Sequence, residues 1–196
     1  MAERQAHGFI YEDKTIESYG YTDWKTYIKK YPNTDTDGIY TSTWDAINES
    51  EEGKYYKGKP VQIKTIQKNG SVDLGDIFRN ANKKEDFTLI VGFWEGSKTN
   101  IVEEYVIEVD YKKWNKELEW DKYEELRDWI KNKVSNDYDY DDQWKEECKY
   151  YKNDWGRNRL IQPRFKRDHK TQRRIQCGIT YKKFIQYIVK EGNVSV

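Results

Sequence analysis

Three polar residues in the first third of the sequence have the types and spacing to hold a metal-bound phosphate: Asp45, Gln62 and Lys64. Gln62 and Lys64 lie two positions apart in residues 60–66, where apolar and polar residues alternate. Residues i and i+2 of a strand point to the same face of a sheet, and a neighbouring strand that presents Asp45 can bring its carboxylate beside them. An Asp, a second oxygen donor and a Lys at one place suit Mg²⁺, which accepts one or two protein oxygens and keeps several waters.

The chemistry that this set of residues could perform is phosphodiester hydrolysis. A bound Mg²⁺, or Mn²⁺ in its place, would polarise the phosphodiester and lower the pKa of a bound water. Lys64 would orient that water or offset the negative charge that grows on the phosphoryl oxygens.

The stretches around these residues resemble the PD-(D/E)XK nuclease superfamily, in which an early helix carries Glu, a strand carries Asp and the next strand carries E-x-K. The matching stretches are residues 8–12 (GFIYE), 43–47 (TWDAI) and 61–65 (VQIKT), and the resemblance covers roughly residues 2–110. It implies that Glu12 and Asp45 are metal ligands and that Lys64 is the catalytic lysine.

Gln62 departs from the family pattern, since it stands where the family usually has an acid. The resemblance implies that its amide carbonyl is a third ligand, although a neutral amide brings no charge to the metal. Two alternatives stay open at this point. Glu17 could take the place of Glu12 on the same helix, and Asp37 could take the place of Asp45.

The basic residues are unevenly distributed along a chain whose 35 Lys and Arg balance its 35 Asp and Glu. Residues 157–183 contain ten basic side chains and a single acid, Asp168, which gives this segment a net charge of +9. Arg and Gln, which form paired hydrogen bonds to guanine and adenine edges, are interleaved there. The segment therefore predicts a DNA-reading surface.

Two kinds of DNA contact are assigned within this basic segment. Side chains that reach base edges carry sequence information, whereas contacts to phosphates position the protein and make binding salt-dependent. We assign to base edges Gln172, Arg173, Arg174 and Gln176. We assign to phosphates Arg164, Lys166, Arg167 and Lys170.

The periodicity of the sequence predicts the elements that must position these residues. Helices are expected at residues 2–19, 23–31, 76–84 and 117–134, the last with a stripe of Trp, Tyr and Leu. Strands are expected at residues 39–47, 60–66, 87–94 and 101–109, with the first two antiparallel. The nearly continuous apolar run 87–94 is typical of a strand buried on both faces, in the middle of a sheet. Residues 181–190 are expected to form a final helix or strand.

Length and composition place this arrangement in one α/β domain. The chain has 196 residues, and 17 Tyr, 8 Trp and 6 Phe supply the core of an otherwise highly charged sequence. We expect a central mixed β-sheet flanked by helices, with a nuclease core over residues 1–135 and a basic DNA-recognition segment over residues 136–196 packed on the same domain. No apolar run is long enough to cross a membrane and no signal pattern begins the chain, so we expect an intracellular, cytoplasmic protein.

The preferred hypothesis is a Mg²⁺-dependent, sequence-specific endonuclease of the restriction type that acts on double-stranded DNA. A chain with a single site cuts one strand at a time, so double-strand cleavage predicts a homodimer and a short palindromic target. One alternative is a nuclease specific for DNA junctions or repair intermediates. Another is a DNA-binding relative that has lost cleavage through Gln62.

Overall fold

Two β-sheets, with helices packed against them, position the candidate residues. The computed structural model describes residues 2–34, 44–119, 149, 153, 159–166, 174–189 and 194–195. Its first part comprises α1 (Ala2–Tyr19), β1 (Thr22–Asp23), α2 (Trp24–Lys30), β2 (Ala46–Asn48), β3 (Lys59–Gln67), β4 (Ser71–Asp76), α3 (Ile77–Ala81), β5 (Phe87–Trp94), β6 (Ile101–Val109) and α4 (Tyr111–Leu118). Its second part comprises β7 (Gln162–Lys166), β8 (Arg174–Thr180), α5 (Tyr181–Lys183), a π-helix (Phe184–Val189) and β9 (Val194–Ser195).

The larger sheet is mixed and has the strand order β1-β2-β3-β5-β6-β9. Strands β2 and β3 are antiparallel, β3 and β5 are parallel, and β5 and β6 are antiparallel again. The parallel pair requires a crossover connection, which β4 and α3 provide. The expected α/β class, a mixed sheet flanked by helices, is confirmed, and β5 lies within the sheet with nearly every residue buried.

The smaller sheet joins two distant parts of the chain, in the order β4-β8-β7. Strand β4 pairs antiparallel with β8, and β8 pairs antiparallel with β7. The basic segment thus supplies two strands, and one of them pairs with a strand that lies between β3 and β5 in sequence.

Apolar side chains cover both faces of the larger sheet. On one face, Val61 and Ile63 of β3 pack with Tyr11 of α1. On the other face, a larger aromatic cluster includes Phe87 and Trp114. Because Val61 and Ile63 face α1, the residue between them, Gln62, lies on the opposite side of β3, where its side chain contacts Lys83.

Local hydrogen bonds fix the ends of the short helices. The Asp23 side chain accepts from the Thr26 amide at the start of α2, and the Asp110 side chain accepts from the Lys112 and Lys113 amides at the start of α4. Such N-caps satisfy amides that have no partner within the helix. Glu119, in a left-handed conformation with φ 46°, ends α4.

Several predicted boundaries are confirmed and others are wrong. The helix at residues 2–19 and the strands at 87–94 and 101–109 have the predicted bounds, and β3 extends the predicted 60–66 by one residue at each end. The predicted strand 39–47 is confirmed at residues 46–47, where β2 lies, but residues 44–45 are not in a strand; residues 39–43 lie outside the described residues. The predicted helix 76–84 is the shorter α3, since Asp76 still pairs in β4.

Two further predictions concern the second half of the chain. A helix over 117–134 is wrong at its start, because α4 begins at Tyr111 and ends at Leu118, and residues 120–134 lie outside the described residues. Residues 181–189 are helical, as one of the two predicted options had it. None of the described helices is both apolar enough and long enough to cross a membrane.

Candidate active site

Asp45 is held at the point where the pairing between β2 and β3 stops. Its amide donates to the Val61 carbonyl at 3.0 Å, and its own carbonyl accepts from the Trp24 amide at 3.1 Å. Since the pairing reaches no further than Val61, the Ile63 amide takes the Asp45 carboxylate instead, with Oδ2 at 2.6 Å. Backbone contacts on both sides of the residue therefore fix the direction of this carboxylate.

Lys64 reaches the same carboxylate oxygen. The distance from Lys64 Nζ to Asp45 Oδ2 is 3.1 Å, and the two side chains remain 24% and 20% exposed. The residues thus converge on adjacent segments as the spacing predicted. The ion pair is partly open to solvent, so an anionic ligand can approach it.

Glu12 lies close enough to this ion pair to interact with both of its charges. Partial burial, followed by the negative charge of Asp45, raises the pKa of the Glu12 carboxyl to about 7, and the positive charge of Lys64 opposes the rise. The helix α1 therefore brings a second carboxylate toward Asp45. Glu17, the alternative on the same helix, is exposed, and Asp37 lies outside the described residues.

Gln62 is the buried member of the candidate site. Its side chain is 6% exposed, and its carbonyl oxygen Oε1 accepts a hydrogen bond from Lys83 Nζ at 3.3 Å. The expectation from the sequence that Gln62 shares a face of β3 with Lys64 stays a prediction. The sequence did not predict Lys83, which follows α3 and enters the site from the crossover.

Lys83 is buried in an aromatic cage. Its Nζ lies 4.3 Å from the ring centroid of Phe87, 4.8 Å from that of Trp44 and 5.8 Å from that of Trp114. Burial lowers the pKa of Lys83 to about 7. Cation–π contacts offset part of the cost of keeping an ammonium away from water. Nothing in the sequence distinguishes this lysine from the other lysines, because its burial depends on the path of the crossover.

The donor set fits a hard divalent cation with few protein ligands. Within the described part of the chain, no three His, Cys, Asp or Glu residues are grouped closely enough to hold a metal ion. Burial, and after it the negative charge of Asp45, raises the pKa of the Glu12 carboxyl to about 7. A cation between Glu12 and Asp45 would relieve the repulsion between their charges, and two carboxylates are enough for Mg²⁺ when waters and a phosphate complete its coordination.

The described strands contain half of the residues predicted to contact DNA. Arg164 lies opposite Gln176, and Lys166 lies opposite Arg174, in the β7–β8 ladder. The Arg164 guanidinium lies over Gly178, where a Cβ would come within 2.8 Å of Arg164 Nε. The other four predicted contacts lie outside the described residues, namely Arg167, Lys170, Gln172 and Arg173.

The basic strands are connected to the candidate site through a buried contact. Cys177 of β8 is fully buried, and the Asn80 amide nitrogen lies 3.6 Å from its sulfur. Asn80 belongs to α3, and its carbonyl accepts from the Lys83 amide at 3.2 Å. The β7–β8 pair is therefore attached to the helix that precedes Lys83.

Comparisons with known proteins identify no relative of this chain. No protein-family model matches it, and neither a curated protein nor a solved structure does. Function is therefore inferred from the geometry of Glu12, Asp45, Gln62 and Lys64 and from the basic strands.

Proposed function

We propose that this protein is a Mg²⁺-dependent endonuclease that cuts double-stranded DNA at a specific sequence, with a core of the PD-(D/E)XK type. The observation that carries the proposal is the 3.1 Å contact between Lys64 Nζ and Asp45 Oδ2, beside the half-buried carboxyl of Glu12. An ammonium and two carboxylates at one partly open place are the groups that metal-assisted phosphodiester hydrolysis requires.

Each residue of the site has a distinct role in this proposal. Glu12 and Asp45 would hold Mg²⁺, which polarises the scissile phosphate and lowers the pKa of a bound water. The Ile63 amide keeps the Asp45 carboxylate in place. Lys64 would orient the attacking water and offset the charge that grows on the phosphoryl oxygens.

The basic strands supply the DNA contacts in this proposal. Arg164 and Gln176 are directly opposite one another on neighbouring strands, so their side chains share one face of the smaller sheet. Arg164 would contact a phosphate and Gln176 a base edge, as the sequence analysis assigns them. Two copies of the chain would cut the two strands of a short palindromic target.

The test is incubation of the full chain with mixed plasmid DNA and Mg²⁺, in parallel with a chelated control. Discrete fragments that disappear with chelator support a sequence-specific endonuclease. Cutting restricted to branched DNA would favour the junction nuclease instead. Binding without cutting, in every metal tried, would favour a relative that has lost cleavage, and the uncharged amide of Gln62 is the feature that would explain it.

A further inference from the structure

We propose that Lys83 is a positioning residue that takes the Gln62 carbonyl oxygen out of the metal's ligand set, so that Glu12 and Asp45 are the protein's ligands to the cation. This inference rests on the proposed function, and it differs from the family pattern, in which position 62 supplies a ligand. It is carried by the contact between Lys83 and Gln62 and by the surroundings of Lys83.

The contact fixes which end of the Gln62 amide faces Lys83. The hydrogen bond runs from Lys83 Nζ to the Gln62 carbonyl oxygen at 3.3 Å, and a lysine can donate it either as an ammonium or as a neutral amine. Gln62 is 6% exposed and Lys83 is 4% exposed, so little water competes for this contact. The amide is therefore held in one orientation.

Lys83 itself is fixed on several sides. Three aromatic rings lie within 5.8 Å of its Nζ. Its backbone carbonyl accepts from the Asn115 side chain at 3.1 Å, and its amide donates to Asn80. A phosphate or a base cannot reach a side chain buried to this degree, so Lys83 acts through Gln62 and not on the substrate.

The hydrogen bond from Lys83 and the burial of both side chains separate the metal from this oxygen. A Mg²⁺ bound to Gln62 Oε1 would have to bring its remaining waters into a place where Gln62 is 6% exposed and Lys83 is 4% exposed. The Glu12 and Asp45 carboxylates offer the cation negative charge without that cost. The neutral amide at position 62 therefore faces a buried lysine and leaves the metal to the two carboxylates.

The test measures Mn²⁺ binding to the full chain without DNA, by titration calorimetry at pH 7.5. We expect Gln62→Met to leave the Mn²⁺ affinity within twofold of the wild-type value, because no ligand is lost. We expect Lys83→Met to tighten binding at least fivefold, because it frees the carbonyl oxygen, and the double variant to return to the wild-type value. Lys112→Met, the same change at an exposed lysine of α4, should have no effect.

The outcomes separate this inference from the proposed function. A tenfold loss of Mn²⁺ affinity in Gln62→Met would show that Gln62 is a ligand and would overturn the role given to Lys83. A wild-type chain that binds no Mn²⁺ would overturn the proposed function itself. Thermal melting of each metal-free variant checks folding, and if Lys83→Met does not fold, the Gln62→Met titration alone decides.

Discussion

At the scale of single residues, the ion pair between Lys64 and Asp45 joins two groups that each remain partly exposed. We expect Lys64→Met to lower the rate of plasmid cleavage by about 10²–10³, the usual cost of removing one group that stabilises transition-state charge. The apolar stem is kept, so the melting temperature should stay within a few degrees of the wild-type value. Full activity in this variant would contradict the role assigned to Lys64.

The raised pKa of Glu12 leads to a second prediction, which concerns how the free energy of unfolding changes with pH. Its pKa is about 7 in the folded protein, against an ordinary value of 4.5. The folded state therefore binds the proton more tightly than the unfolded state, so this residue lowers the free energy of unfolding as pH rises from about 4.5 to about 7. Above about pH 7 Glu12 is ionised in both states, so it lowers the free energy of unfolding no further.

We expect Glu12→Gln to raise the free energy of unfolding at pH 8 by about 1–3 kcal/mol, an estimate reduced for the partial exposure of the side chain. At pH 4.5 the variant and the wild type should be nearly equal. Urea unfolding at both pH values measures the difference. A variant that is less stable at pH 8 would show that the Glu12 carboxylate is not destabilised by burial and by Asp45.

At the scale of elements, α1 and β5 meet at a glycine. A Cβ on Gly92 would lie 2.5 Å from the Tyr11 hydroxyl oxygen and ring, so this position needs hydrogen in place of a side chain. We expect Gly92→Ala to lower the free energy of unfolding by about 1–3 kcal/mol, because α1 must shift away from the sheet. Since α1 carries Glu12, cleavage should fall as well.

The matched control for this substitution is Gly8→Ala within α1. Among the residues that the structure describes, no heavy atom outside the helix lies within 4 Å of a Cβ at Gly8, so alanine should raise stability by about 0.5–1 kcal/mol. Thermal or urea unfolding of both variants measures the contrast. Equal changes in the free energy of unfolding at the two positions would mean that a side chain at position 92 does not clash with Tyr11.

The elements with a regular pattern of their own could be predicted from sequence, whereas those formed by distant pairing could not. The alternating residues of β3 and the continuous apolar run of β5 each define a strand locally. Strand β4 contains a glycine and two aspartates, and it is a strand because β8 pairs with it about 100 residues later. The convergence of Asp45 and Lys64 could be predicted for the same local reason, but the burial of Lys83 could not.

At the scale of the whole molecule, the charge on the β7–β8 pair should govern DNA binding. We expect Arg164→Ala to weaken binding to all duplexes by a similar factor and to reduce the slope of log K against log salt by about 1, because a phosphate contact carries no sequence information. Binding isotherms at several salt concentrations measure it. Lys112→Ala is the control, and a sequence-dependent loss would reassign Arg164 to a base edge.

The second prediction for the whole molecule concerns its assembly on DNA. We expect two copies of the 23.8 kDa chain on each cleaved duplex, because one site cannot cut both strands at once. Sedimentation of the protein with an uncleaved duplex in Ca²⁺ measures the stoichiometry. A single copy on a duplex that is nevertheless cut in both strands would contradict it.

The pairing of β4 with β8 has a consequence for engineering this protein. A C-terminal portion that served only as a detachable module could be exchanged for that of another protein, which would redirect the target sequence. Here residues 162–166 and 174–180 complete a sheet that β4 begins at residues 71–76, and β9 pairs with β6. A grafted tail would therefore have to rebuild the hydrophobic interior as well, so single substitutions on β7 and β8 are a better route to changing the proposed DNA contacts than exchange of the C-terminal portion.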